Sequence, residues 1–243
     1  MLYDHFTDER LDSSIWQFCN MTTPCLEMPH HVGDSCLALP EHDMWNEGNC
    51  LLSRAFLQEH SVVAAEFSGW DEECTGCGVG FYAGDSSFGK YVLLTATDGQ
   101  IELRVHSGSQ NGESFMSGGQ PKWLVIAKIS WDMTFPVRLT LQREGNHYTA
   151  KLFDEFLLEA DIPEISGDAR ALIKALSWRE RFEACYAYLD WAMIDGIAPT
   201  CTFTGQVLNG ADQPVECAGI HLSGFDQFFT LTDHCLLYTS DAA

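Results

Sequence analysis

PVRLTLQREGNHYTAKLFDEFLLEA, residues 136–160, is the stretch of this chain with the clearest structural pattern. Apolar and polar residues alternate over 137–142, and the alternation resumes over 148–152 after the turn-forming residues Glu144-Gly145-Asn146. Side chains on a strand point to opposite faces in turn, so this pattern predicts a half-buried antiparallel hairpin. A third short apolar run at 156–158 follows within a few residues. The segment therefore predicts a three-stranded meander that offers one face to a core.

Strand patterns recur on both sides of this meander. The first-half hairpin is joined by Asp98-Gly99, a dipeptide suited to positive φ in a tight turn. Residues 169–176 alone fit either a helix or a strand, and their β neighbours favour a strand. The other predicted strands are 61–67, 91–97, 101–105, 123–126 and 186–194. The chain is therefore predicted to be all-β.

Length and charge limit the classes of partner. The chain has 243 residues, which suffice for one large sandwich or barrel and a small appendage. Its 13 Lys and Arg against 35 Asp and Glu give a net charge of −22, which opposes nucleic acid and anionic membranes as partners. A solubilised surface explains this acidity more simply than a role in attracting cations. No apolar run is long enough for a transmembrane helix, and the first ten residues lack the pattern of a signal peptide.

Ten cysteines leave the cellular compartment undecided. Cys74 and Cys77 form the one CxxC motif, and no second CxxC or CxxH lies at the usual zinc spacing. A zinc site and a redox pair are two readings of this motif, and the favoured reading is two structural cysteines with disulfides elsewhere. The residues His30-His31, His42 and Asp43 near Cys36 form a weakly metal-like cluster, which also fits a simple polar loop.

The order of these signals over residues 3–196 resembles the concanavalin A-like lectin/glucanase superfamily in its broad, laminin-G-like form. The segments that carry the resemblance are 3–6 with 11–16, 79–82 with 90–94, 137–141 with its hairpin, and 188–194. The resemblance implies an antiparallel jelly-roll β-sandwich of two curved sheets over residues 1–198. Retaining glucanases of the superfamily carry a Glu-x-Asp-x-x-Glu run, which supplies carboxylates about 5 Å apart. The spacing occurs once, at Glu159-Ala160-Asp161-Ile162-Pro163-Glu164, so a catalytic reading rests either on this run or on carboxylates from distant strands.

Residues 199–234 resemble the opening of a carboxypeptidase regulatory-like domain, a second small β-sandwich. Gly205, Val207, Pro214-Val215 and Thr232-Asp233 match its pattern, and the expected following glycine is missing. The last nine residues, CLLYTSDAA (235–243), correspond to a common transposon sequencing adapter translated in frame, so we expect an artefact that truncates the second domain. Such domains occur mainly in exported multidomain proteins. The resemblance therefore implies further domains in the parent chain and an extracellular or cell-surface location.

Aromatic residues near loops and strand ends are the candidate ligand-binding residues, because pyranose rings stack on aromatic faces while charged groups bind their hydroxyls. These candidates are Trp70, Asp71, Tyr82, Tyr91, Trp123, Trp178 and Arg179. By resemblance to calcium-binding members of the superfamily, Asp190 of the closing strand is the candidate ligand of a structural calcium ion. The first functional hypothesis is a non-catalytic carbohydrate-binding or adhesive module without membrane insertion. The alternatives are a glycan-active hydrolase domain with an unrecognised carboxylate pair and a structural spacer.

Overall fold

The computed structural model of the chain describes two compact units, Met1–Ala198 and Pro199–Ala243. The residues described are 1–6, 11–20, 29–32, 36–41, 49–83, 90–106, 123–163, 165, 167–177, 185–198, 201–206, 219–221, 229–231 and 237–242. Every regular element among them is a strand, which confirms the all-β prediction. The described residues accordingly contain no helix of the length and apolarity that a membrane crossing requires.

Fourteen strands of the first unit form one continuous hydrogen-bonded system. In chain order they are β1 (Leu2–Asp4), β2 (Trp16–Asn20), β3 (His30–His31), β4 (Leu37–Glu41), β5 (Asn49–Trp70), β6 (Gly76–Ala83), β7 (Lys90–Thr97), β8 (Gln100–His106), β9 (Trp123–Ser130), β10 (Val137–Glu144), β11 (His147–Leu152), β12 (Glu155–Asp161), β13 (Ala169–Leu176) and β14 (Cys185–Ile197).

The long strand β5 divides this system into two sheets. Its first half pairs with β2 and β13, and β13 continues into β6, β7, β8 and β9; we call these strands the front sheet. Its second half pairs with β10 and β14, which continue into β11 and β12 on one side and into β1, β4 and β3 on the other. We call these strands the back sheet. One strand thus belongs to both layers, and the layers form a jelly-roll sandwich.

The core lies between the two sheets. Phe81 of β6 meets Tyr148 of β11 across the gap, with ring centroids 5.9 Å apart at a steep angle. Val137, Leu139 and Leu141 of β10 are fully buried in the same cluster, as the alternation over 137–142 predicts. The hairpin turn is also as predicted, because Gly145 adopts a φ of 62° between β10 and β11. The meander is therefore one half of the core, and the front sheet supplies the other half.

The second unit contains two pairs of short strands. Strand β15 (Cys201–Gln206) pairs with β18 (Leu237–Ala242), and β16 (Gly219–His221) pairs with β17 (Phe229–Leu231), both antiparallel. Strand β18 falls in the segment that the sequence assigns to an adapter. The assignment of that segment, and the resemblance of residues 199–234 to a regulatory-like domain, stay predictions.

Candidate functional site

The front sheet has a second face that points away from the core, here called the outer face. On β6, Cys77, Val79 and Phe81 belong to the core, so Gly78, Gly80 and Tyr82 lie on the outer face. The same alternation places a separate buried cluster on this face, which consists of Cys50, Leu52, Tyr82, Tyr91, Leu93, Leu172 and Leu176. The front sheet is therefore buried on both sides, and the outer face is where its polar residues collect.

Five backbone positions line up across the front sheet at one end. Tyr82 of β6 is directly opposite Tyr91 of β7, and Tyr91 is directly opposite His106 of β8. Arg170 of β13 continues this line beyond Tyr82, and Trp123 of β9 occupies the position opposite His106. We call these five positions the cross-strand row. Directly opposite residues of adjacent strands have Cβ atoms about 4.5–5.5 Å apart, so the row is contiguous. Arg170 is its partly buried member, whereas Tyr82, Tyr91 and His106 are buried.

The rings of the cross-strand row stack on one another. The centroids of Tyr82 and Tyr91 lie 6.4 Å apart with an interplanar angle of 27°, and those of Tyr91 and His106 lie 4.7 Å apart at 14°. The stacked rings are buried, since Tyr82, Tyr91 and His106 are only 3%, 2% and 5% exposed. That Tyr82 and Tyr91 contact a ligand stays a prediction.

Arg170 is the cation of the cross-strand row. Its guanidinium lies 5.1 Å from the centroid of the Phe56 ring, and its Nη1 donates to the side-chain oxygen of Gln17 at 3.4 Å. The Nε of Arg170 is buried and has no hydrogen-bond partner among the described residues. A guanidinium offers five N–H donors in a fixed plane. Arg170 is thus held in place by an aromatic ring and an amide while it retains donors for a ligand.

Two buried ion pairs lie further along the outer face. Arg104 Nε donates to Glu102 Oε2 at 2.6 Å on β8, and Lys174 Nζ lies 3.4 Å from Glu41 Oε2 with both side chains fully buried. Burying a charge costs free energy unless it is paired. Each carboxylate here has a cationic partner, which meets that requirement.

Among the described residues, the paired carboxylates of Glu102 on β8 and of Glu41 at the end of the back-sheet strand β4 stand far apart. Glu41 Oε1 accepts a hydrogen bond of 3.5 Å from the backbone N–H of Asn49, at the start of β5. Glu102 is on β8, and the strand order from β5 to β8 passes through β13, β6 and β7. Four inter-strand steps of about 4.8 Å put these strands roughly 19 Å apart. Paired glycosidase carboxylates are about 5–9.5 Å apart, so Glu41 and Glu102 do not form such a pair.

A second candidate surface lies at the opposite end of the front sheet. Trp70 packs edge-on against Phe135 with ring centroids 4.7 Å apart, and its centroid lies 6.5 Å from that of Trp131. Phe135 is 40% exposed. We call these three residues the aromatic patch. Trp70 precedes the start of β6 whereas Tyr82 is near its end, a distance of roughly 20 Å along an extended strand.

Asp71 beside the aromatic patch has a structural role. Its carboxylate accepts hydrogen bonds from the backbone N–H of Tyr186 at 3.1 Å and from the hydroxyl of Tyr188. The hydrogen bond to Asp71, with burial as the second cause, raises the pKa of Tyr188 to about 12. These contacts tie the turn after β5 to strand β14.

The structure therefore divides the predicted ligand-binding residues into separate groups. Tyr82 and Tyr91 lie together in the cross-strand row, and the backbone of Trp123 joins them by register; its side chain is outside the described part of the chain. Trp70 and Asp71 lie at the far end, and Trp178 and Arg179 fall outside the described residues. Sequence reasoning missed the polar members of the outer face, which are Glu41, Glu102, Arg104, His106, Arg170 and Lys174. The sequences of β8 and β13 carry the signal for five of them, because these polar residues alternate with the core-facing residues of their strands.

Both CxxC cysteines are buried in the core cluster, and the thiol of Cys74 donates to the carbonyl oxygens of Gly76 and Leu176. Among the described residues no three His, Cys, Asp or Glu side chains are grouped to hold a metal ion. Asp190 is near Cys36, whose pKa is raised by burial and also by this carboxylate. The calcium site at Asp190 involves oxygen ligands beyond these side-chain types and stays a prediction.

Comparison with solved structures identifies the fold. The chain is similar to a β-1,3-1,4-glucanase (lichenase) derived from a mouse hindgut metagenome, at 12% identity over 81% of this chain and 99% of that one, with a TM-score of 0.52. It is also similar to a glycoside hydrolase family 16 endo-glucanase from Bacteroides ovatus (10% identity, 79% and 99% coverage, TM-score 0.53). The catalytic domain of a laminarinase from Thermotoga petrophila gives 8% identity, 80% and 96% coverage and a TM-score of 0.54.

No protein-family model and no curated protein sequence matches the chain. Identities this low show the fold alone. The chain therefore has the concanavalin A-like jelly-roll fold that its sequence resembles.

Proposed function

We propose that the outer face of the front sheet is a carbohydrate-binding surface, and that the protein acts as a non-catalytic carbohydrate-binding or adhesive module. The cross-strand row carries this proposal. It collects a guanidinium, two phenol hydroxyls and an imidazole on a face that does not serve the sandwich core. Sugars present many hydroxyls, and sites for small ligands combine apolar surface with a few converging polar groups.

The solved structures of similar fold support the ligand class. The endo-glucanase from Bacteroides ovatus is described in complex with G4G3G-2F-DNP, and a κ-carrageenase from Pseudoalteromonas carrageenovora with an oligotetrasaccharide of κ-carrageenan. These facts concern those proteins, and they make a glycan the first ligand to test on this chain. The acidic surface supports the same choice, because a net charge of −22 repels nucleic acid.

On the outer face of the front sheet, the described charges favour binding over hydrolysis; Glu159 and Asp161 lie instead on β12 of the back sheet, where both contact His147. Glycosidases need one carboxyl group as acid and a second as nucleophile or base. On the outer face, Glu102 is bound by Arg104 and Glu41 is bound by Lys174. Each carboxylate is neutralised locally, and β13, which carries the Lys174 partner of Glu41, lies three strand spacings or roughly 14 Å from β8. The central strands β13, β6 and β7 contribute no carboxylate to this face.

The proposal extends to the parent protein. A carbohydrate-binding module of this kind operates beside further domains of the same chain, at the cell surface or outside the cell. The resemblance of residues 199–234 to a regulatory-like domain supports that setting.

A glycan array followed by titration calorimetry tests the proposed function. We expect the folded protein to bind a β-glucan or another polysaccharide, and Arg170→Ala to weaken that binding by tenfold or more, since each lost hydrogen bond to a charged group is worth about 1.5–3 kcal/mol. Arg138→Ala in the back sheet is the control matched for residue type, and Trp70→Ala tests the aromatic patch. Both should bind as the unmodified protein does.

Three results would count against the proposal. Binding to no glycan leaves the structural spacer. Loss of binding in Trp70→Ala with full binding in Arg170→Ala moves the site to the aromatic patch. Release of reducing sugar from the bound polysaccharide by the purified protein establishes hydrolysis instead of simple binding.

A further inference from the structure

The described cysteines fall into two close pairs and two single residues. Cys19 of β2 is directly opposite Cys50 of β5. Cys74 lies beside Cys185, and the two thiols interact with each other. Cys77 lies in the core and Cys36 lies near Ser68, and all six described cysteines are free thiols in this structure. This pairing joins cysteines that are far apart in the sequence and separates the two members of the CxxC motif.

The backbone holds Cys19 and Cys50 at a distance suited to a disulfide. Directly opposite residues of antiparallel strands have Cα atoms about 4.5–5.5 Å apart, and disulfides span Cα distances of about 4.4–6.8 Å. Both side chains lie on the outer face, because Cys50 belongs to the outer-face cluster and Cys19 packs against it. The next residue, Leu51, points to the other side and belongs to the core. Cys50 is 2% exposed, so the pair is shielded from competing thiols in solvent.

A separate set of hydrogen bonds fixes Cys74 beside Cys185. The backbone N–H of Asp71 donates to the carbonyl of Tyr186 at 2.9 Å, and the carboxylate of Asp71 accepts from the N–H of Tyr186 at 3.1 Å. Cys74 N–H donates to the Asp71 carbonyl at 3.0 Å, which closes the turn. The turn and the start of β14 are therefore in register, with both thiols buried at 2% and 3% exposure.

We propose that Cys19–Cys50 and Cys74–Cys185 are the two disulfides of the oxidised protein. In each pair, one cysteine thiolate first attacks an oxidant of the disulfide class, such as glutathione disulfide, which forms a mixed disulfide and releases one glutathione thiolate. The second cysteine thiolate then attacks the cysteine sulfur of that mixed disulfide and releases the other glutathione. Two thiols lose two protons and two electrons, one S–S bond forms, and the oxidant's disulfide is reduced to two thiols. Burial raises the pKa of the Cys50 and Cys74 thiols, so they ionise poorly once the protein has folded. The bonds therefore form during folding.

The two bonds have a consequence for location and stability. Disulfides persist in oxidising compartments, so the protein that carries them is exported. Cys74–Cys185 closes a loop of about 110 residues, and the chain-entropy model assigns a loop of that length a change of roughly three thousandfold in the unfolding equilibrium. The pairing concerns the sandwich itself and holds whether or not the outer face binds a glycan.

Peptide mapping of the full chain tests the pairing. The protein is refolded from urea in a reduced and oxidised glutathione buffer, trapped with N-ethylmaleimide and digested without reduction. We expect cross-linked peptides that join Cys19 to Cys50 and Cys74 to Cys185, with Cys77 recovered as an alkylated thiol. Folded protein with all four cysteines alkylated, or with a Cys74–Cys77 bond, would overturn the proposal. Protein exported to a bacterial periplasm gives a second sample for the same mapping.

Urea unfolding with and without dithiothreitol tests whether the two disulfides stabilise the folded protein. We expect dithiothreitol to lower the urea midpoint of the oxidised protein, and the double variant Cys74→Ala/Cys185→Ala to lose most of that response. Cys36→Ala is the control and should keep the full response. An equal response to dithiothreitol in both variants would show that the Cys74–Cys185 bond does not form.

Discussion

The buried pair of Lys174 and Glu41 gives a sharp quantitative prediction. Their charged atoms lie 3.4 Å apart, and both side chains are fully buried. At an effective dielectric constant of 20, two unit charges at that distance attract by about 5 kcal/mol. Removing one partner leaves the other charge buried, so we expect Lys174→Met and Glu41→Leu each to lower the free energy of unfolding by about 3–5 kcal/mol.

The double variant separates this coupling from the loss of packing. Replacing both charges with apolar side chains removes the desolvation penalty together with the attraction, so the double variant should recover much of the lost stability. Urea unfolding of the four proteins gives the coupling energy, which we expect to exceed about 2 kcal/mol. Arg138 and Asp154 form a control pair at 3.0 Å with 35% and 70% exposure, and their coupling should stay below about 1 kcal/mol. Additive effects of the two buried substitutions would show that Lys174 and Glu41 are not coupled.

Three other substitutions probe the sandwich. Arg143 is fully buried, and its Nη1 and Nη2 have no partner among the described residues. Arg143→Met should therefore raise the unfolding free energy by about 1–3 kcal/mol, and a lower value would contradict this prediction. Tyr188→Phe should lower it by about 1–3 kcal/mol through the lost bond to Asp71. Because the folded pKa of Tyr188 is raised to about 12, that difference should be full below pH 10 and disappear as the pH rises through 12; a pH-independent difference would count against it. Gly80→Ala would put a methyl group 2.1 Å from the Val92 carbonyl oxygen, so thermal melting should show a loss of about 1–3 kcal/mol, with Gly69→Ala, which has open space, as the near-neutral control.

The local patterns of the sequence predict the strands well. The alternation over 137–142 and 148–152 coincides with β10 and β11, and residues 169–176 form strand β13. Periodicity cannot distinguish the single 22-residue strand β5 from two shorter ones. The exposed residues at 58–60 interrupt its apolar pattern, yet the strand continues because it exchanges its partners from one sheet to the other there.

The candidate site is only partly visible in the sequence. Tyr82 and Tyr91 can be singled out as aromatic residues at strand ends, whereas Arg170 and His106 read as ordinary solvent-facing residues. Their significance comes from the register of four strands, which brings residues 82, 91, 106 and 170 into one line. Alternation along a strand gives its two faces, but it gives neither the neighbouring strand nor the register. The buried pairing of Lys174 with Glu41 is hidden for the same reason.

A crystal structure of the protein with its bound oligosaccharide tests the central claim most directly. We expect sugar on the outer face of the front sheet, with a hydroxyl or ring oxygen within hydrogen-bond distance of the Arg170 guanidinium. Sugar stacked on Trp70 and Phe135 at the opposite end, with the cross-strand row unoccupied, would contradict it.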